Sequence, residues 1–538
     1  MMKKLLFICA VMGACIMTQA KERTYSDYQE ILDIAGSIGH HHADFTVDGL
    51  YYTIVSPTEV MVTRGGVNAE ESTQYMFDKD LLVIPSEVEY ESIHYQVIGV
   101  ASNTFSGPWD GRPGTMGKTD IPICEIIVSE GIEVIGYKAF GYLRRLQSVS
   151  LPTSLRYLGN SVFYGCRSLS SITIPEGIKW TEPSGYYSGG GGMFYDCGFS
   201  SLDDIKNSEN LKEALNGEIP YNFIAGEHLR SIRIPDWVES IGEHAFMALI
   251  GNMSLKYVYI PNSVKKISSY AFGDSFGTPI GYFEDKNGKE RFRYEGSNPV
   301  VIIDNHQDLA IYLNAFGASD SDGGAVRNQQ ETPPTIFFMG DKPPVTTKYW
   351  IGGGWDDNYP LVFVPSGLKD AYSEAGIDGP ESGVINGLNE FDSSILSNYK
   401  CLLVVRQGTE GGKVKINGEE LTGTLVKGME EGTPLNIEFI PDEGYQLKHF
   451  YWNHNYQDET MGVLEDGMFK TVMTGNSRLD YFYESTTDIT HTKDNNKDSQ
   501  YYLINGLRLN SPRKGLNIIR ESDGKTRKVI LVSPQVFK

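Results

Sequence analysis

The sequence predicts a mainly β solenoid of about 23-residue units, followed by a small antiparallel β domain and a short C-terminal β tail. Three observations carry that prediction. Phenylalanines recur at 105, 140, 163, 194, 223, 246 and 272, with separations of 35, 23, 31, 29, 23 and 26. Several are preceded by an alternating apolar stretch closed by proline, as in Ser231-Ile232-Arg233-Ile234-Pro235. The chain also holds 58 glycines, and a fold made of repeated short units needs many turns.

The unit can be read position by position. Around Phe163 it runs Ser148-Val149-Ser150-Leu151-Pro152, Leu155, Leu158-Gly159, Val162-Phe163, Cys166. Around Phe246 it runs Ile232 to Pro235, Val238, Ile241-Gly242, Ala245-Phe246. Around Phe272 it runs Tyr257 to Pro261, Val264, Ile267, Ala271-Phe272. Around Phe140 the frame is Ile126 to Val128, Ile132, Ile135-Gly136, Ala139-Phe140, with Ser129 in the proline position. Alternation such as Ile232-Arg233-Ile234 is that of a strand with one buried face. Proline next has no N–H to donate and ends the strand. Glycine after the second apolar position is expected to permit a tight bend. Phe105, Phe140, Phe163, Phe194, Phe223, Phe246 and Phe272 are the expected structural core, each ring stacking on the next unit's. Separations above 23 mark insertions, chiefly at 106–118, 180–193 and 277–298.

This frame, I-x-I-P-x-x-V-x-x-I-G-x-x-A-F-x-x-C, resembles the BspA-like leucine-rich repeats of bacterial cell-surface proteins. The resemblance extends over residues 44–385. Asp44 to Tyr52 resembles the hairpin that opens such arrays. Leu361-Val362-Phe363-Val364-Pro365, with Leu368 to Tyr372 after it, resembles the closing strand and short helix. The resemblance implies a leucine-rich-repeat fold, a cell-surface or secreted location, and adhesion through protein–protein contact. Between Phe272 and Phe316 the frame is nearly lost, which leaves the number of turns there open.

The flanks read differently. Residues 1–20 have the pattern of a signal peptide: Lys3 and Lys4, an apolar run from Leu5 to Met17, and Ala20 before the expected cleavage. The rival reading is a lipoprotein box that would acylate Cys15. Residues 21–43 form an N-terminal segment before the array. From 400 to 485, short apolar stretches separated by Gly411-Gly412, Asn417-Gly418 and Asp442-Glu443-Gly444 predict a small antiparallel β domain. Residues 486–499 are a polar linker. Residues 500–538 form a β tail, similar to the terminal segments that direct secretion or surface attachment in Gram-negative anaerobes. A hairpin that merely closes the last domain is the alternative.

Composition and motifs bound the chemistry. Lys plus Arg number 47 against 69 Asp plus Glu, a net charge of −22. That charge repels phosphate backbones and excludes nucleic acid as a natural partner. No stretch of the mature chain is long and apolar enough to be a transmembrane segment. His40-His41-His42 reads as a solvated loop, since adjacent histidines point apart. Gly111 to Thr119 approaches a phosphate loop but has Arg112 where its first glycine belongs. Asp320-Ser321-Asp322-Gly323-Gly324 and Asp356-Asp357-Asn358 lack the ligand spacing of a calcium loop. Cys166 and Cys197 read as small buried core residues. The expectation is a non-enzyme without cofactor or metal. Its candidate binding surface is a set of aromatics in glycine-rich insertions: Trp109, Tyr186, Tyr187, Tyr349, Trp350 and Trp355. The expected partner is a host or matrix protein, with a glycan as the alternative.

Overall fold

A computed structural model describes residues 22–36, 43–64, 79–106, 121–182, 192–225, 228–246, 255–273, 275–276, 279–285, 287–294, 296, 298–317, 332–347, 349–351, 360–379, 387–458, 461, 463–465, 467–486, 500–502, 508–509, 515–520 and 526–531. The signal segment 1–20, His40 to His42, Trp109, Gly111 to Thr119, Tyr186, Tyr187, Asp320 to Gly324, Trp355 and Asp356 to Asn358 lie outside these residues. The chain divides into two compact units, Met1–Phe283 with Phe292–Asn398, and Glu284–Arg291 with Tyr399–Lys538.

The first unit begins with a helix, Tyr25–Ala35, within the N-terminal segment 21–43. Thr24 and Asp27 form a capping box, each satisfying the other's backbone N–H. The helix buries Tyr28, Leu32 and Ala35 against Met61, Ile98, Ala101, Val134 and Tyr157. The opening hairpin follows as the antiparallel strands Phe45–Val47, Leu50–Ser56 and Glu59–Thr63. Asp48 and Gly49 make its turn with φ of 49° and 82°, the left-handed pair that matches strand twist. Glu59–Thr63 then pairs in parallel with Ile93–Val100, and pairing changes from hairpin to solenoid.

From there each turn adds to two parallel ladders. The first ladder uses the I-x-I strands. Leu81–Ile84, Glu125–Val128 and Ser148–Ser150 form its opening sheet. Ser231–Arg233, Tyr257–Ile260, Val300–Ile303, Thr335–Phe338, Leu361–Pro365 and Leu388–Phe391 form its last and largest. The second ladder is narrower. It pairs Val100 with Ile135 and Ile135 with Leu158, and later Ile219 with Ile241, Ile241 with Ile267 and Ile267 with Ile311. Proline does more than end a strand: the Pro152, Pro235 and Pro261 carbonyls accept from Leu155, Val238 and Val264 N–H, closing a turn. Ser129 does the same with Ile132, so its carbonyl serves where proline is absent.

One open point closes and two sequence expectations change. Tyr257–Ile260 pairs directly with Val300–Ile303, so one turn follows the next and the intervening length is insertion. The array continues to Leu388–Phe391, beyond the expected end at 385, because that strand extends the same parallel ladder. The motif glycine does not make the bend. Gly136, Gly159 and Gly242 are not left-handed; a Cβ on Gly242 would sit 2.8 Å from the Ile219 carbonyl oxygen of the preceding turn. Glycine there lets adjacent turns approach closely.

The second unit contains two five-stranded sheets. One orders Leu425–Met429, Cys401–Gln407, Ser477–Ser485, Tyr445–Trp452 and Asn455–Gln457. The other orders Glu419–Leu421, Gly412–Ile416, Pro434–Pro441, Met468–Val472 and Leu464–Glu465. Asn417-Gly418 forms the expected hairpin, pairing Ile416 with Glu419. The expectation of a wholly antiparallel domain needs correction, since Cys401–Gln407 runs parallel to Ser477–Ser485. Residues 500–531 contribute a four-stranded sheet ordered Arg508–Leu509, Gln500–Tyr502, Gly515–Arg520 and Thr526–Leu531.

Candidate functional surface

The surface of a solenoid is set by what its core fixes. Phe105, Phe140, Phe163, Phe194, Phe223, Phe246 and Phe272 are all buried. Their rings stack in two runs, with centroids 5.9 Å apart from Phe105 to Phe140 and again to Phe163 and 6.1 Å to Phe194, which Phe223 meets edge-on at 5.5 Å, and then 4.9 Å between Phe246 and Phe272. The second run continues through Phe316, 5.3 Å from Phe272, to Trp350, 6.4 Å further on. The ring residue's own N–H bonds the next turn, as from Phe140 to the Val162 carbonyl and from Phe246 to the Ala271 carbonyl. Three residues beyond the ring, a small polar side chain reaches back to the preceding turn. Cys166 Sγ donates to the Phe140 carbonyl at 3.2 Å, Cys197 Sγ to the Phe163 carbonyl at 3.2 Å, and Ser275 Oγ to the Phe246 carbonyl at 2.6 Å. Burial pushes both thiols up, so they stay protonated donors.

Trp350 was expected on a binding surface and is not there. It is fully buried, and its Nε1 donates to the Ile377 carbonyl at 3.2 Å. It packs edge-on against Phe316 from the position where earlier turns hold alanine, as at Ala271 and Ala315, and the buried Ile351 takes the place phenylalanine holds there. Tyr349 beside it is 55% exposed.

The bend between the second ladder and the ring is made by a left-handed residue. Asn103, Lys138, Ser161, Asn222, His244, Tyr270, Asn314 and Tyr349 all have φ between 47° and 57°. Each lies three positions after its second-ladder residue. Only three are asparagine, so no residue type announces the position. Left-handed backbone costs a non-glycine residue about 1–2 kcal/mol, and neighbouring turns offset it. The His244 and Tyr270 rings stack at 5.1 Å. The Lys138 ammonium lies 4.9 Å from the Tyr164 ring centre and 5.3 Å from that of Tyr137.

The ladders' outer faces divide along the array. On the second ladder, Val134 and Tyr157 lie under the N-terminal helix. Further on, the outer positions are Glu218, Ser240, Lys266, Ala310 and Val345, the last 74% exposed. On the first ladder, Leu81, Val83, Glu125, Ile127, Lys206 and Arg233 are exposed. The Arg233 guanidinium lies 4.1 Å from the Tyr259 ring centre, and the Tyr259 hydroxyl donates to Asp304 at 3.3 Å. From Val300 to Phe363 the outer positions are buried, including Phe337 and Phe363 themselves, stacked at 5.0 Å. The open stretch of this ladder, from Leu81 to Tyr259, is the candidate interaction surface. Among the described residues no group of three or more His, Cys, Asp or Glu side chains is arranged to hold a metal ion.

Parallel ladders wound around a ring column define a repeat-solenoid scaffold. Residues 119–247 and 217–280 match the BspA type leucine rich repeat region in six copies, and this part of the chain is therefore a BspA-type leucine-rich-repeat array. A leucine rich cell surface protein from Faecalibacterium prausnitzii is 13% identical, over 66% of this chain and 96% of that one, with a TM-score of 0.32. A leucine-rich repeat protein from Bacteroides ovatus is 14% identical, over 65% and 100%, with a TM-score of 0.25. The pneumococcal vaccine antigen PcpA is 15% identical, over 63% and 97%, with a TM-score of 0.23. These likenesses are too distant to carry an argument. A search of curated proteins finds no match.

Proposed function

We propose that the chain is an exported surface or secreted bacterial protein, and that its solenoid binds a host or matrix protein without catalysing a reaction. The observation that carries this reading is the open outer face of the first ladder. There a rigid sheet holds aliphatic, acidic and cationic side chains in register, an arrangement suited to a protein partner. Support for export comes from the signal pattern of residues 1–20 and from the BspA-type repeats. The tail at 500–538 serves as a sorting or attachment segment in this reading.

Fractionation of producing cells, followed by pull-down from solubilised extracellular matrix, tests the proposal. It expects the chain outside the cytoplasm and a retained matrix protein that is lost on Arg233→Glu. A cytoplasmic chain sinks the export reading. Tyr349, exposed beside the ring column, keeps a glycan as the second reading, and a glycan array with Tyr349→Ala separates the two.

A further inference from the structure

Among the described residues, no strand pairs with the outer edge of the first ladder's opening strand. Leu81–Ile84 pairs in parallel with Glu125–Val128, its only partner among the described residues. The Asp80 and Ile84 carbonyls point toward that partner, accepting from Glu125 and Ser129 N–H. Backbone groups alternate along a strand. The N–H and C=O of Leu81 and Val83 therefore face away from the sheet, along the edge that no described strand pairs. Their side chains stand on the outer face, 40% and 42% exposed, and Ile127 beside Val83 is 36% exposed. Exposed edges are ordinarily blunted by proline, charge or a bulge, and Leu81–Ile84 carries none of these.

We infer that this edge accepts an extended segment of a partner protein as an added strand, with alternating apolar residues and basic flanks. Backbone bonds to Leu81 and Val83 give the register, and apolar side chains on the added strand cover Leu81 and Val83. Charge selects the partner. Asp80 just before this strand, Glu125 on its neighbour, Glu87, Glu89 and Glu91 in the hairpin that follows and Glu130 in the loop after the neighbour are exposed, against Lys79 and His94. A second copy of this chain would bring the same acids to the same edge and is disfavoured by their repulsion. The inference deepens the proposed function and rests on it in treating the solenoid as a binding scaffold.

The test is fluorescence anisotropy of the full chain with a labelled ten-residue peptide of alternating valine and threonine between lysine pairs. Saturable binding is expected, with at least a tenfold loss when the flanks are glutamate. Val83→Pro removes an N–H that the sheet does not use and is expected to weaken binding at least tenfold. Val83→Lys, on the outer face, is expected to do the same by charge, and it decides the matter should the proline variant melt early. Wild-type affinity in Val83→Lys, or equal binding of the glutamate-flanked peptide, overturns the inference. So does a wild-type dimer, seen by light scattering, that Val83→Lys dissociates. A matrix pull-down that succeeds with Val83→Lys at full strength leaves the proposed function standing and this site refuted. Peptide binding lost in that variant, with no matrix protein retained by wild type, leaves the reverse.

Discussion

The two units bury their polar groups in opposite ways. In the solenoid the ring column is apolar, and backbone groups are satisfied by the next turn along. Among the described residues its buried polar side chains are neutral, from Cys166 and Ser275 to Asn298, which bonds Thr335, and Asn305, which bonds the Tyr372 hydroxyl. The second unit buries charge instead. Arg406, Arg478 and Asp480 are 2% exposed or less, and one carboxylate serves both guanidiniums. Arg478 Nη2 donates to Asp480 Oδ1 at 2.9 Å, and Arg406 Nη1 reaches the same oxygen at 3.2 Å. Burial pulls the Arg478 guanidinium down from its ordinary value, against the pull of Asp480. The first unit gains stability by repetition and the second depends on a local arrangement without a substitute. A solenoid can therefore lose part of a turn, whereas the β unit depends on buried ionic contacts such as this one.

The largest expected effects test that contrast. Asp480→Asn removes the carboxylate that Arg406 and Arg478 share and should cost about 3–5 kcal/mol, read by denaturant unfolding followed at the second unit's tryptophan, Trp452. Arg478→Met removes the extra cation and should cost much less, because Asp480 keeps Arg406. Equal losses would mean the triad is not a shared-charge centre. Phe246→Ala should cost about 3–5 kcal/mol through the cavity left between Ile241 and Phe272. A melting curve indistinguishable from wild type would break the column assignment.

Smaller effects sharpen it. Cys166→Ala leaves the buried Phe140 carbonyl without its donor and should cost about 1–3 kcal/mol. Cys166→Ser should cost less, since Ser275 makes the same bond four turns further on. If serine and alanine prove equivalent in thermal melts, the thiol only fills space. Glu182→Gln is the mildest. Burial raises the Glu182 carboxyl above its ordinary value of 4.5, while the Asn160 N–H and Tyr157 hydroxyl hold it back. A raised folded-state value favours the fold when the group is protonated. That contribution is complete below the unfolded-state value and is lost as pH rises through the folded one. Glu182→Gln should therefore raise the melting temperature at neutral pH and change little at pH 4. A variant less stable at pH 7 would contradict the sign.

Much of the solenoid was legible because its signals are periodic. The ring spacing, the I-x-I-P strands and the Asn417-Gly418 hairpin each specify local geometry through residue type. Trp350 was misread for the same reason. It lies in a glycine-rich stretch and stands where earlier turns hold alanine, so nothing in the frame marked a large buried ring there. The left-handed corner was illegible, since lysine, serine, histidine and tyrosine serve there as well as asparagine. Neighbouring turns impose that conformation, and no single residue encodes it. The parallel pairing of Cys401–Gln407 with Ser477–Ser485 joins strands far apart in sequence, which local patterns do not report. Of the candidate surface, the strand alternation marked Arg233 as outward, but nothing in the pattern marked where the outer face closes beyond Tyr259.

The central claim is that insertions interrupt the sequence of the solenoid without interrupting its core. Hydrogen exchange of the Phe246→Ala chain, resolved by segment, tests it most directly. The column predicts that Tyr257–Ile260, Val300–Ile303 and Thr335–Phe338 lose protection together, although long insertions separate them. Faster exchange confined to residues 231–260, with Val300–Ile303 as protected as in wild type, would contradict it.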